Sequence, residues 1–164
     1  MTTDWKDEAF ARFLENQKRI EARDRQRMAE RGEALIELVA ADDDEATNSP
    51  LFQEGVSGFA TALKANDITY SQRIATFDSV DGMGFGLPEF IVVVNSLGPA
   101  AIAAIGVAAG AWLEAKRGRS ARLKIGDLEV EGRDKEEVEA LLKLVKDHQA
   151  GDAAVTKAQK TKKT

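Results

Sequence analysis

The sequence predicts an α+β protein that is mostly helical, and three observations carry that prediction. Apolar residues recur at helical spacing from residue 4 to residue 40, which favours a long N-terminal helix. The 24 residues from Phe90 to Leu113 include no charge and are rich in Ala and Gly, which predicts an apolar helix and a candidate transmembrane segment. Apolar and charged residues alternate on both sides of Gly126-Asp127, which predicts a β-hairpin, and a helical pattern then completes a ββα unit.

Composition and charge restrict the chemistry. The 164 residues include no cysteine, which excludes disulfides, zinc–thiolate sites and cysteine nucleophiles. Residues 1–89 hold 10 Lys/Arg and 18 Asp/Glu, a net charge of −8, whereas residues 90–164 hold 13 and 10, a net charge of +3. An acidic chain with local basic islands predicts an anionic membrane surface as a partner and no specific nucleic acid.

Residues 1–41 are predicted to form one charged amphipathic helix. Its large apolar residues fall into two groups, first Trp5, Phe10, Phe13, Leu14 and Ile20, then Leu35, Ile36 and Val39. The charged stretch between them, EARDRQRMAER, interrupts the apolar repeat that a coiled coil requires. We therefore expect two amphipathic ends joined by a solvated middle, with a bend at Gly32.

Residues 42–50 have the composition of a solvated acidic loop, and a short helix is predicted to follow it. Ser49 or Asn48 is placed to cap that helix, with Pro50 in its first turn, where the missing N–H has no cost. The loop lacks the ligand spacing of a calcium-binding loop, so no metal is expected there.

The remainder of the segment 51–89 is predicted to be a strand and a flexible linker. The β-branched, alternating pattern of ITYSQRIATF favours the strand. Gly82, Gly84 and Gly86 then form a glycine-rich linker, because neither the dinucleotide fingerprint nor the P-loop spacing is present.

Residues 118–150 carry the predicted ββα unit. Asp134 is placed to cap its helix, and Glu137, three residues later, completes a capping box. A lone hairpin is marginally stable in water, so this helix is expected to cover the apolar face of the strands. Residues 151–164 are polar and rich in lysine, and we expect them to be disordered.

The apolar segment 90–117 has more than one interpretation. As a single helix, its 24 uncharged residues would extend about 36 Å, enough to span a bilayer. Alternatively, Gly98 and Pro99 divide it, so that EFIVVV is a buried strand or short helix and a second helix begins at Pro99. Spanning, re-entry into the membrane, and burial within a soluble oligomer all remain open at this stage.

Small residues along the apolar helix predict close packing against another helix. Gly106 and Gly110 form a G-x-x-x-G pair, and Ala100, Ala104 and Ala108 extend the same ridge. We expect this ridge to mediate self-association into a homo-oligomer.

The residues after the ridge resemble the cytoplasmic flank of a membrane segment. Trp112 is placed as an interfacial anchor, and Lys116, Arg117, Arg119 and Arg122 supply positive charge. This pattern predicts a membrane-associated protein whose C-terminal unit is cytoplasmic; the alternative is a soluble cytoplasmic protein.

The order of an Ala/Gly-rich helix, AWLEAKRGR, the hairpin LKIGDLEVEG and then DKEEVEALLKLV resembles the effector-associated constant components, small bacterial proteins encoded beside conflict-system effectors. The resemblance covers residues 85–147 and lies in the layout of the elements. It implies a membrane-linked or scaffolding adaptor with no catalytic residues. The long N-terminal helix departs from that layout, and it leaves the protein partner unidentified.

No catalytic, cofactor-binding or metal-binding residue is predicted. His148 is the single histidine and has no nucleophile arranged beside it in sequence. The sequence therefore favours a non-enzymatic, membrane-associated adaptor that self-associates through its Ala/Gly-rich helix and presents the ββα unit to a protein partner. The alternatives are a soluble homo-oligomeric structural protein of phage or bacterial origin and a holin-like pore former.

Overall fold

The computed structural model describes residues 4–75 and 85–161 of the chain, and these residues contain four α-helices and five β-strands. The predicted α+β class is therefore observed. In chain order the elements are α1 (Asp4–Arg31), β1 (Glu33–Val39), α2 (Pro50–Ala65), β2 (Tyr70–Ala75), β3 (Phe85–Val93), a 3₁₀ turn (Val94–Ser96), α3 (Pro99–Ala115), β4 (Ser120–Ile125), β5 (Leu128–Gly132) and α4 (Lys135–Thr161). Gly82 and Gly84 of the predicted glycine-rich linker lie outside the described residues, whereas Gly86 lies within β3.

The strands form one antiparallel sheet in the order β2-β3-β1-β4-β5. β1 occupies the centre, with Ile36 opposite Phe90 of β3 on one side and opposite Leu123 of β4 on the other. The segments β1-α2-β2 and β3-α3-β4 each join two strands that have a third strand between them. This is the split βαβ arrangement of ferredoxin-like folds, here extended by α1, β5 and α4.

The hydrophobic core lies between one face of the sheet and the helices α2, α3 and α4. The most deeply buried large side chains come from all of these layers: Ile36, Phe52, Leu63, Phe90, Ile105, Leu123 and Leu142. α2 begins as the sequence predicts, because the Ser49 hydroxyl accepts a hydrogen bond from the Phe52 N–H at 3.2 Å and Pro50 occupies the first turn. The opposite face of the sheet carries charged side chains such as Glu37 and Lys124, and the last turns of α1 lie beside it.

The single helix predicted over residues 1–41 is wrong at its C-terminal end. α1 ends at Arg31, and Gly32 adopts a φ of +66°, which allows the chain to reverse into β1. The segment Glu33–Val39 contains residues that are compatible with a helix, but pairing with two neighbouring strands satisfies its backbone and buries Ala34, Ile36 and Leu38. Tertiary pairing overrides local propensity here.

The apolar segment 90–117 is not one helix. Phe85–Val93 is a strand next to β1, and α3 begins only at Pro99, after the 3₁₀ turn and Gly98. The division at Gly98 and Pro99 is therefore the observed one, and the single spanning helix is a wrong prediction. Of the helices in residues 4–75 and 85–161, none is both long enough and apolar enough to cross a bilayer.

The C-terminal elements belong to the same sheet as the rest of the chain. β4 pairs with the central strand β1 as well as with β5, so the hairpin is the continuation of a five-stranded sheet and not a separate unit. α4 runs to Thr161, so the disorder predicted for the tail is wrong as far as that residue. The tail contains four Lys and three Ala, residues with high helix propensity.

The same substitution at two glycines should change stability in opposite directions. Gly32→Ala should lower the free energy of unfolding by about 1–2 kcal/mol, because the left-handed backbone disfavours a Cβ, which would also lie 2.7 Å from the Asn95 side-chain nitrogen. Gly58→Ala should raise it by about 0.5–1 kcal/mol, because a Cβ added to this helical glycine would meet no other residue within 4 Å. Urea unfolding at one fixed protein concentration measures both, and equal signs would contradict this account.

Candidate protein-interaction site

The two glycines of the small-residue ridge of α3 are covered within the chain. A Cβ placed at Gly106 would overlap the Glu139 side chain of α4, and one at Gly110 would lie 3.3 Å from the Lys135 Cβ. Ala108 is buried and Ala104 is half-buried on the same helix, whereas Ala100, near its start, is exposed. The helix that fills the groove at Gly106 and Gly110 is therefore α4 of the same chain, whereas Ala104 and Ala108 line a second groove between α2 and α3.

Most of the predicted membrane flank is also engaged inside the protein. Trp112 is 2% exposed and meets the Phe52 ring edge to face at 5.3 Å between centroids. The Lys116 ammonium donates a hydrogen bond to the Asp43 carbonyl. Arg122 and Arg119 form ion pairs, described below, and Arg117 is exposed.

Arg119 and Asp44 form a buried ion pair that fastens the acidic loop to the end of α3. The guanidinium Nε and Nη2 donate to the two carboxylate oxygens at 2.7 and 2.8 Å. The two side chains are only 9% and 2% exposed, and the guanidinium lies 3.9 Å from the Trp112 ring centroid. A planar guanidinium suits both the bidentate pairing and the stacking. The sequence pattern suggested only a solvated loop here, because composition does not show which of four successive acids turns inward.

The ion pair changes the acidity of Asp44. Hydrogen bonds from Arg119 are the main cause that lowers the pKa of Asp44 from 3.8 to about 2; burial opposes the shift and the Ala41 N–H assists it. Because the folded-state pKa lies below the unfolded one, the stabilisation is fully present above about pH 4 and is lost as the pH falls towards 2.

Acid titration of stability should detect this pair. Asp44→Asn should lower the free energy of unfolding at pH 7 by at least about 2 kcal/mol, since it removes the ionised partner of a buried arginine. The difference from the unsubstituted protein should shrink between pH 4 and pH 2. The matched control is Asp43→Asn, because the Asp43 side chain is 82% exposed. A difference for Asp44→Asn that stays constant with pH would contradict the assignment.

A network of ion pairs covers the open face of the sheet. The Glu37 carboxylate on the central strand lies 3.3 Å from the Lys124 ammonium and 3.6 Å from the Arg122 guanidinium. Arg122 also lies 3.2 Å from Glu129 and 3.4 Å from Glu131. A hydrogen bond with Ser120, and then one with Arg122, holds the pKa of Glu131 below its usual value. These cross-strand charges fix the register and keep the face polar.

A groove of about 330 Å³ lies between this face and α1. Its lining includes the apolar residues Met28, Leu35 and Leu128, and three of its lining residues are basic, namely Arg25, Arg73 and Lys124. Six lining residues are acidic: Glu21, Asp24, Glu37, Glu89, Asp127 and Glu129. The lining therefore carries a net charge of −3, which favours a positively charged group in the groove.

The N-terminal part of α1 extends away from the rest of the protein with its apolar side chains uncovered. Residues 5–23 are all exposed, and the helix becomes half-buried only at Asp24, Met28 and Ala29. The exposed fractions of its large apolar residues are 65% for Trp5, 63% for Phe10, 55% for Phe13, 43% for Leu14 and 53% for Ile20. A concentration of large apolar side chains in water is typical of an interaction site.

The C-terminal end of α1 packs against α4 and the hairpin turn. The Gln149 side-chain amide of α4 donates to the Ala29 carbonyl at 3.0 Å, and Gly126 at the hairpin turn lies against Ala29. The apolar residues of α1 were visible in the sequence as one face of a helix. Their exposure was not, because it depends on where α1 ends and where the sheet lies.

Comparison of the chain with family models, with curated proteins and with solved structures gives no match. In the described residues, no group of three or more His, Cys, Asp or Glu side chains is arranged to hold a metal ion. The candidate interaction site is the exposed apolar face of α1, together with the acidic groove beside it.

Proposed function

We propose that this protein is a non-enzymatic adaptor or scaffold that self-associates through α1. The observation that carries the proposal is the exposure of five large apolar side chains between Trp5 and Ile20 on a helix that leaves its own domain. Burial of such side chains stabilises an assembly by about 25 cal/mol per Å² of apolar surface, which offsets part of the cost of association.

This proposal moves self-association from the α3 ridge to α1. The ridge at Gly106 and Gly110 faces α4, whereas the large apolar side chains between Trp5 and Ile20 of α1 are exposed. The resemblance to effector-associated constant components points to the same class, an adaptor or scaffold. Membrane association and a cytoplasmic location remain predictions.

A second surface is needed for an adaptor, and the C-terminal hairpin offers one. Among the strands that the structure describes, β5 lies at the edge of the sheet and pairs with β4. In this proposal α1 joins copies of the chain, while the hairpin and α4 are presented to a protein partner. Edge strands bind extended peptides through their backbone groups.

A homo-oligomeric structural protein is the second candidate, because the same exposed helix face would serve it. The two candidates differ in stoichiometry. An adaptor should form a small, closed oligomer, whereas a structural protein should form larger assemblies as its concentration rises. Light scattering coupled to size-exclusion chromatography distinguishes these outcomes.

Charge placed on the apolar face of α1 should abolish self-association. The double substitution Phe10→Glu with Phe13→Glu should convert the oligomer to a monomer in sedimentation velocity, because two carboxylates would be buried in the contact. The helical circular dichroism signal and the urea midpoint of the monomer should be retained, since both side chains are more than half exposed.

The matched control is Leu144→Glu, which adds a charge at a 51% exposed leucine on α4. This variant should remain as oligomeric as the unsubstituted protein. A monomeric unsubstituted protein, or a double variant that associates equally well, would refute self-association through α1.

A further inference from the structure

We propose that two copies of α1 pair in antiparallel orientation, with Lys6 of one copy facing Asp24 of the other. This inference rests on the proposed self-association and adds the partner, a second copy of this chain, and the geometry. It is derived from the order of residues along one face of α1 and from the groove into which that face leads.

One stripe of α1 has an apolar centre and opposite charges at its two ends. Residues spaced alternately four and three apart lie on the same face of an α-helix. One such series is Lys6, Phe10, Phe13, Gln17, Ile20 and Asp24. The first five of these residues are exposed and the last is half-buried, so the stripe is accessible along most of its length.

The charges at the ends of the stripe select the orientation. In an antiparallel pair centred on residue 15, Phe10 lies opposite Ile20 and Phe13 opposite Gln17. Lys6 of each copy then lies opposite Asp24 of the other copy, so the twofold-symmetric pair contains this ion pair twice. In a parallel pair, Lys6 would face Lys6 and Asp24 would face Asp24, so both ends would repel. Of the two arrangements, only the antiparallel one pairs opposite charges at both ends of the stripe.

The flanking charges favour the same orientation. The segment from Asp4 to Leu14 has two basic and three acidic residues, a net charge of −1. The segment from Asn16 to Gln26 has four basic and two acidic residues, a net charge of +2. Antiparallel pairing places the negative segment of one copy beside the positive segment of the other. Parallel pairing places each segment beside the same segment of the second copy, so that like charges face each other.

The groove on the open face of the sheet continues the stripe. Asp24 lines this groove, together with five other acidic residues and three basic ones. In this pair, the Lys6 ammonium of the second copy would lie at the acidic lining of the groove. The neighbouring Trp5 ring would lie near the apolar lining residues Met28 and Leu35. Each chain therefore has both the N-terminal part of α1 and the groove that it contacts, as a twofold-symmetric dimer requires.

Cysteine cross-linking tests the orientation directly, because the chain has no cysteine of its own. Lys6→Cys and Asp24→Cys chains, mixed in equal amounts under reducing conditions and then oxidised, should form a disulfide-linked dimer on a non-reducing gel. Either variant alone should not, because in the antiparallel pair the two copies of position 6 lie roughly 27 Å apart along the axis. Efficient cross-linking of Lys6→Cys by itself would overturn the antiparallel arrangement.

A charge exchange tests the ion pair by affinity. Lys6→Glu and Asp24→Lys should each weaken the dimer roughly tenfold, since each converts two attractive contacts into repulsive ones. The combined variant should return the dissociation constant to within about threefold of the original. A parallel pair predicts no loss in either single variant, because like charges would still face each other.

The outcomes separate this inference from the one on which it rests. A dimer that Phe10→Glu with Phe13→Glu disrupts, but that charge exchange leaves unchanged, would refute the antiparallel register and retain self-association through α1. A chain that sediments as a monomer throughout would refute both. Circular dichroism of every variant verifies that α1 remains helical.

Discussion

The structure depends on the position of β1 at the centre of the sheet. This strand forms hydrogen-bonded ladders on both edges, with β3 and β4, and it buries Ala34, Ile36 and Leu38 beneath the helical layer. Its pairing ends α1 at Gly32 and assigns the apolar residues before the 3₁₀ turn to a neighbouring strand. Both elements had local patterns compatible with helix, so the strand pairing decides the architecture.

Two consequences follow for the parts of the chain that pack elsewhere. α3 contains only the second part of the long apolar segment and begins at Pro99. Because Gly106 and Gly110 have no side chains, α4 packs closely against them. Of the basic residues after α3, Arg119 turns inward, where it pairs with Asp44 and stacks on Trp112. The features that resembled a membrane segment with a positive flank are thus used in intramolecular packing.

The same architecture leaves residues 5–23 of α1 exposed. The sheet face nearest to α1 carries the ion pairs around Glu37 beside the apolar Leu35, and within α1 partial burial begins only at Asp24. The apolar part of α1 therefore extends beyond the domain. Self-association along this face would bury its apolar side chains and would place a lysine of the second copy beside the acidic residues of the groove. Both effects would favour an adaptor built from paired copies.

By itself, the sequence determined the α+β class, the helix that begins at Ser49 and Pro50, the turn at Gly126 and the amphipathic character of α1, because each depends on local spacing, capping or turn chemistry. The tertiary structure decided that residues 33–39 form the central strand, that the segment 90–117 divides, which acid of the loop is buried, and that Gly106 and Gly110 face α4. These outcomes depend on contacts between residues far apart in the chain. A local pattern that suits both helix and strand is resolved only by the partners that satisfy its backbone and cover its apolar side chains.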